Sequence, residues 1–454
     1  MRLRTWIFGI LLCVIPVAVA PRASAGPFRP PAVPLVAVDP YFSIWSFASH
    51  LTYDSTRHWS GMPMVMKSIV RIDGKAYRIM GRSPSTTTPA RQLGLRVLPT
   101  RTIYEFRAAG VLIRLTFTTP DLPADLDIMA RPVTYVTWGV QTVDGKRHTV
   151  SIFYDVNASV VVATPDQTVV WSRPKIAGLS VLRMGTEKQP VLARAGDRLK
   201  IDWGYLYVAA AAGNGVHAAA ADDRTLFNSF ITQGKLPNAD STRMPRAAED
   251  GWPALGFTFD LGAVGAQPVL RHLTLAYDEV FPVEYFHVRL RPYWESHGAR
   301  INSLLQNASR DYDRLSAACQ TFDNKLMTSL GQVGGEQYAL LASLAYRQAF
   351  AANKLALGPR GHPLMFLKEI SSCGCAQTAD VIYPESPILL FLNPKLLEDS
   401  LIPLLDYADS REWPYPYAPH DLGTYPLDNA RPPSRMESMP VEESGNMLLM
   451  VAAI

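Results

Sequence analysis

The chain has 454 residues, of which 48% are hydrophobic and 19% charged, with a formal net charge of +4. That is a globular composition, and the length favours two cores over one. The positive excess is spread along the sequence, so it leaves no basic footprint for nucleic acid.

Residues 1–25 read as an export signal. Arg2 and Arg4 precede an uncharged apolar run from Trp6 to Ala20, and Ala23-Ser24-Ala25 supplies a small-x-small cleavage site. The run is shorter than the roughly 20 residues that span a bilayer. The expected product is a periplasmic or extracellular protein with no membrane attachment after cleavage. Leu12 before Cys13 makes a poor lipoprotein site. Three cysteines then remain: Cys319, Cys373 and Cys375. A C-x-C pair without a second ligand pair is weak for zinc and reads as a local disulfide or free thiols.

From residue 26 to residue 292 the pattern is that of short strands. Runs such as Ser68–Gly81, Leu95–Pro120 and Val133–Val156 alternate apolar and polar residues between turn signals. Asp144-Gly145, between two such runs, is a hairpin signal. Regularly spaced strands over this length predict a large β-sandwich. No cluster in this half resembles a catalytic constellation.

Residues 293–454 change to helical spacing. Ile301, Leu304, Leu305, Ala308, Tyr312 and Leu315 place one helix between His297 and Leu330. Tyr338, Leu341, Leu344, Ala345 and Gln348 place a second between Glu336 and Leu357. Further helices are expected to end near Leu392 and to run from Pro394 to Tyr407, with Asn393 as cap. Paired helices joined by alternately short and long loops predict an α/α toroid. A last helix opens at Pro440 and is apolar on every side, as a buried helix would be. It lacks a C-terminal cap signal, so the toroid is expected to be incomplete and the sequence to be a fragment.

The polar residues of this half carry the chemistry. Glu442 and Glu443 fall in the first turn of the last helix, where macrodipole electrostatics alone would account for them at about 0.3–1 kcal/mol. Successive helical residues differ by about 100°, so only one of the two can face a pocket. His420-Asp421 sits on a loop rich in Pro and Tyr, flanked by Trp413, Tyr415, Tyr417 and Tyr425. Asp380 stands among small residues at the start of an apolar helix, where a carboxylate must be capped, paired or functional. Lys368-Glu369, at an expected helix-to-loop junction, fits an exposed ion pair or a second pocket wall. Ser172 and Lys175 form S-x-x-K only across Pro174 and in a strand context. No G-x-S-x-G, Walker, dinucleotide or H-E-x-x-H motif occurs, and no cofactor or metal is called for. What remains is carboxylate acid/base chemistry on a small polar or sugar-like substrate.

Several stretches resemble the glutaminase A family: Pro31–Trp45, Thr56–Gly61, Phe366–Ser372, Asp380–Pro384, Ala418–Pro426 and Met439–Met447. The resemblance covers essentially the whole chain after the export signal. It implies a β-sandwich followed by an (α/α)6 toroid of the six-hairpin glycosidase type, and hydrolysis of L-glutamine to L-glutamate and ammonia. On that reading Glu442, Glu443, Asp421 and Asp380 are the catalytic candidates, and His420, Asn446, Lys368, Glu369 and Tyr383 bind substrate. A six-hairpin glycoside hydrolase and a non-catalytic carbohydrate-binding protein remain the competing readings. The sequence carries no signal for an oligomeric state.

Overall fold

The computed structural model describes residues 28–430 and 438–454. The expected export signal, with Cys13, lies outside the described residues.

Two antiparallel sheets face each other in the N-terminal half. The larger has nine strands in the order Arg246–Ala247, Thr168–Ser172, Leu179–Thr186, Tyr205–Ala211, Val269–Asp278, Val133–Thr142, Val111–Thr118, Arg101–Ala108 and Arg91–Val97. The smaller has five: Val216–Asp222, Pro253–Val264, His148–Asn157, Met66–Ile72 and Lys75–Met80. In Val133–Thr142, Val136, Trp138 and Val140 belong to the main sandwich core. The Trp138 ring meets Tyr154 at 5.8 Å and Phe259 at 5.7 Å on the opposite sheet. Its Nε1–H donates to Ser68 Oγ at 3.1 Å, so the buried indole keeps a hydrogen-bond partner.

Each sheet also has a covered outer face. Beyond the short helix α1 (Leu126–Met129), helix α2 (Asp223–Gln233) lays Leu226, Phe227 and Phe230 over Ile69 and Phe153. Helix α3 (Ile301–Ala351) sets Leu304, Leu305 and Ala308 against Val133 and Tyr135 of the larger sheet. The Tyr135 hydroxyl donates to Ala308 O at 2.8 Å. Burial on both faces is why Val133–Thr142 is richer in apolar residues than a strand with one wet face.

The Asp144-Gly145 expectation is corrected. Val133–Thr142 pairs with Val111–Thr118 and Val269–Asp278, whereas His148–Asn157 pairs with strands of the other sheet. The turn therefore crosses the sandwich, and the His148 ring braces it between Asp73 (2.5 Å) and Asp144 (3.0 Å). A two-residue hairpin of the I′ type needs positive φ at both central residues. Asp73-Gly74 meets that condition at 48° and 86° and closes the hairpin between Met66–Ile72 and Lys75–Met80; of the other pair only Gly145 has positive φ, at 79°.

The helical half differs from expectation in part. The first two helices themselves fall where the spacing puts them, parted within α3 at Gly335, whose φ of 81° and ψ of 179° are non-helical. The second stops at Ala351 rather than Leu357, because Asn353–Leu357 is a strand paired with Pro363–Leu367. Lys368 consequently follows a strand, not a helix. These two strands join Val288–Pro292, Val283–Tyr285 and Leu427–Asp428 in a second five-stranded sheet. Lys354 on it is buried, with Nζ 2.7 Å from both Asp39 Oδ2 and Glu279 Oε2. That triad ties the first strand region, the end of the sandwich and the small sheet together.

Three helices follow: α4 (Ala379–Leu392), α5 (Pro394–Ala408) and α6 (Pro440–Ala453). The Asn393 side chain accepts from Lys395 N–H at 3.1 Å, capping α5 as its sequence predicts. Helix α6 departs from all-round burial. Glu443, Met447 and Met450 are buried, but Val441, Leu448, Leu449 and Val451 are exposed, because α4 and α5 contact it on one side.

Candidate functional site

The site gathers where three local structures meet. Helix α4 carries Asp380 in its first turn. The loop that ends in the strand Leu427–Asp428 carries His420 and Asp421, and α6 carries Glu443 in its first turn. Backbone bonds fix them to one another: Ala379 N–H donates to His420 O at 2.8 Å, and Ala418 N–H donates to Ser444 Oγ at 3.1 Å. Placing carboxylates at two helix N-termini sets them against positive dipole ends.

Asp380, His420 and Glu443 bring ligand atoms within 4.8 Å of one another. His420 Nδ1 is bonded to Asp421 Oδ2 at 2.7 Å, and Nε2 lies 3.7 Å from Asp380 Oδ1. The second Asp421 oxygen, Oδ1, accepts from Gly423 N–H at 2.6 Å, which orients the carboxylate and through it the imidazole. Glu443 is fully buried; its Oε2 takes a long bond from Asn446 Nδ2 at 3.5 Å and its Oε1 has no hydrogen-bond partner. Asp380 Oδ1 is likewise buried and without one. Two buried carboxylate oxygens without a protein partner, close to an imidazole, mark a candidate functional site.

The electrostatics follow from that crowding. Burial, then the Asp380 charge, raises the Glu443 carboxyl to about 7, against the lowering influence of His420. Burial disfavours the imidazolium of His420, but the bond to Asp421 and the charges of Asp380 and Glu443 outweigh it and raise the pKa. A carboxyl held at about 7 close to a histidine whose pKa is raised is a candidate proton-transfer pair.

The remaining sequence candidates take different places. Glu442 is exposed and stands outside the cluster, as the helical rotation requires. Asn446 is one turn beyond Glu443 and is its hydrogen-bond donor. Tyr383 lies one turn beyond Asp380 on the same helix face and is 40% exposed. Lys368 and Glu369 are not an ion pair. The buried Lys368 ammonium donates to Gly196 O at 2.5 Å and lies 5.2 Å over the Tyr425 ring, and burial brings its pKa down to about 8. Glu369 accepts from Thr378 Oγ1 at 2.9 Å, at the N-terminus of α4. The flanking aromatics divide: Trp413, Tyr415 and Tyr417 form one cluster, while Tyr425 is buried against Tyr41 at 5.4 Å.

Asp428 was missed by the sequence reading. It is fully buried, neither oxygen has a hydrogen-bond partner, and burial raises its pKa well above the usual carboxylate range. Lys368 opposes that shift and Asp421 adds to it. Its only sequence signal is a lone acid after Pro426-Leu427.

Among the described residues, two donor sets are of the kind that hold a metal: Asp380, His420 and Glu443, and Glu369 with Cys373 and Cys375. In the second, Cys373 and Cys375 are joined as a disulfide, which removes both thiolates. Cys319 is free and buried.

Comparison with known proteins places the chain among relatives. The family model for the glutaminase A six helical-hairpin domain matches residues 335–454, and two domains of unknown function, DUF4964 and DUF5127, match residues 12–88 and 100–329. Glutaminase A of Aspergillus oryzae is 29% identical over 442 residues, covering 94% of this chain and 63% of that protein. A protein of Arthroderma benhamiae named as a probable glutaminase is 29% identical over 476 residues, covering 96% of this chain and 54% of its own length. The chain thus spans between about half and two thirds of these curated relatives. Among solved structures, a family GH92 alpha-mannosidase of Bacteroides thetaiotaomicron aligns with a TM-score of 0.44 at 12% identity, over 93% of this chain and 53% of that one.

Proposed function

The chain belongs to the glutaminase A family, and we propose that the protein it represents is an exported amidohydrolase that cleaves L-glutamine to L-glutamate and ammonia. The observation that carries this reading is the Glu443 carboxyl, raised to about 7 beside His420 and Asp380. Amide hydrolysis needs a base to take a proton from water and an acid to give one to a poor nitrogen leaving group. Asp380, with Oδ1 unmet, takes the proton as water adds to the side-chain amide carbon. Glu443, protonated in about half the molecules at its own pKa, delivers its proton to the amide nitrogen as the carbon–nitrogen bond breaks and ammonia leaves. His420, held by Asp421, returns the proton between them, and Asn446 orients Glu443. Export rests on the N-terminal charged and apolar pattern.

The glycoside-hydrolase reading draws on the same carboxylates. An inverting glycosidase, however, separates its pair by roughly 6.5–9.5 Å to admit a water. The ligand oxygens of Asp380 and Glu443 lie within 4.8 Å, short of that span but close to the roughly 5–5.5 Å of a retaining glycosidase, so the substrate and not the spacing separates the two readings. Assay of the full-length protein on glutamine and on a panel of aryl glycosides tests the choice. Ammonia release without sugar release is expected; sugar release without ammonia overturns it.

A further inference from the structure

A second polar cleft opens on the outer face of the smaller sandwich sheet, with a volume of about 890 Å³ and a lining drawn entirely from the N-terminal half. That volume is within the usual range for ligand sites, roughly 300–1,000 Å³. Strand register explains why it is polar. Arg71, Ser151 and Asp260 are side by side on three adjacent strands, and Thr258 pairs with His217 two residues along. Helix α2 covers the apolar part of the same face, where Phe230 stacks on Phe153 at 5.4 Å, and the segment after α2 walls the open part.

The charges in the cleft are unevenly matched. Arg173 is bonded to Asp240 through two contacts, Nε to Oδ2 at 3.1 Å and Nη2 to Oδ1 at 2.7 Å, and Asp240 also accepts from Ala220 N–H. Asp260 accepts from Gly262 N–H. Arg71 and Lys235 have no carboxylate partner among the described residues, and Arg71 Nε is buried without a hydrogen bond. The C-terminal end of α2 lies against this guanidinium, since a Cβ at Gly234 would come 3.1 Å from Nη1. The negative dipole end favours a cation there but leaves its fork of donors unmet. A guanidinium fork matches a carboxylate, and the flanking hydroxyls and Asp260 match ligand hydroxyls. No Phe, Tyr or Trp lines the cleft, so sugar-ring stacking plays no part.

We propose that this cleft binds a carboxylate-bearing sugar, with Arg71 on the carboxylate, Lys235 adding charge at the rim, and Ser151 and Asp260 on the hydroxyls. The site is separate from the His420 cluster and does not depend on what that cluster hydrolyses.

The test is calorimetric titration of the full-length protein with trigalacturonate, free galacturonate and neutral maltotriose. At low salt the acidic trimer binds, its affinity falls as salt is raised, and maltotriose does not bind. Free galacturonate binding as tightly as the trimer identifies a single sugar as the ligand; weaker binding identifies the oligomer. Arg71→Gln and Lys235→Glu each weaken binding at least tenfold and leave glutamine hydrolysis unchanged. Lys235 is on an exposed segment, so its variant keeps the test open if Arg71→Gln fails to fold. Absence of binding by both acidic sugars, equal binding of maltotriose, or unchanged affinity in the folded variants overturns the proposal.

Discussion

Replacing Glu443 by glutamine should separate stability from activity. Burial and Asp380 raise this carboxyl from 4.5 to about 7, so the folded protein keeps a proton that the unfolded chain releases. The stability contributed by the neutral group is complete below pH 4.5 and is lost as pH rises through about 7. Above that, the native state carries a buried carboxylate at a cost of roughly 3 kcal/mol, taking about 1.4 kcal/mol per pKa unit. Glutamine has the same shape and cannot ionise, and its amide oxygen can still accept from Asn446. Glu443→Gln should therefore equal the wild type in stability near pH 4.5 and exceed it by up to about 3 kcal/mol near pH 8.5. Activity should fall by about 10²–10⁴, the usual contribution of a positioned acid or base. Urea unfolding at the two pH values and an ammonia-release assay read both effects. Lower stability at pH 8.5, or full activity in a folded variant, would refute the assignment.

Other outcomes follow from the same geometry. Glu442→Gln, at an exposed position, should leave activity unchanged in the ammonia assay. Because Glu443 acts protonated, kcat/KM should decline as pH rises through about 7, and a flat profile to pH 9 would contradict its role as acid. Asp421→Asn removes the negative charge that favours the imidazolium, so the His420 pKa, followed by NMR titration, should fall. Gly335→Ala forces a side chain into a backbone region open essentially to glycine and should cost about 1–3 kcal/mol by urea unfolding, with no steric clash to add. Lys354→Met strands Asp39 and Glu279 without their shared cation and should cost about 3–5 kcal/mol.

What could be read in advance, and what could not, turns on how local each signal is. The Asn393-Pro394 helix start and the inward turn of one glutamate out of the Glu442-Glu443 pair depend on local helical geometry and are legible in the sequence. Asp73-Gly74 and Asp144-Gly145 look alike, yet one closes a hairpin and the other crosses the sandwich. The difference lies in which strands claim the neighbouring edges, and some of those partners, such as Val269–Asp278, are more than a hundred positions away. Asn353–Leu357 has a helix-compatible pattern but is drawn into a sheet by Pro363–Leu367 and Val288–Pro292. Asp428 carries no pattern at all. Its burial arises only when Leu427–Asp428 adds to Val283–Tyr285, a pairing across the two halves of the chain.

The most direct measurement is ammonia release from L-glutamine by the full-length protein, wild type against Glu443→Gln, with aryl glycosides run in parallel. The account predicts glutamine turnover by the wild type, its loss by two orders of magnitude or more in the folded variant, and no glycoside cleavage by either. Glycoside cleavage without ammonia release, or an unimpaired variant, would contradict it.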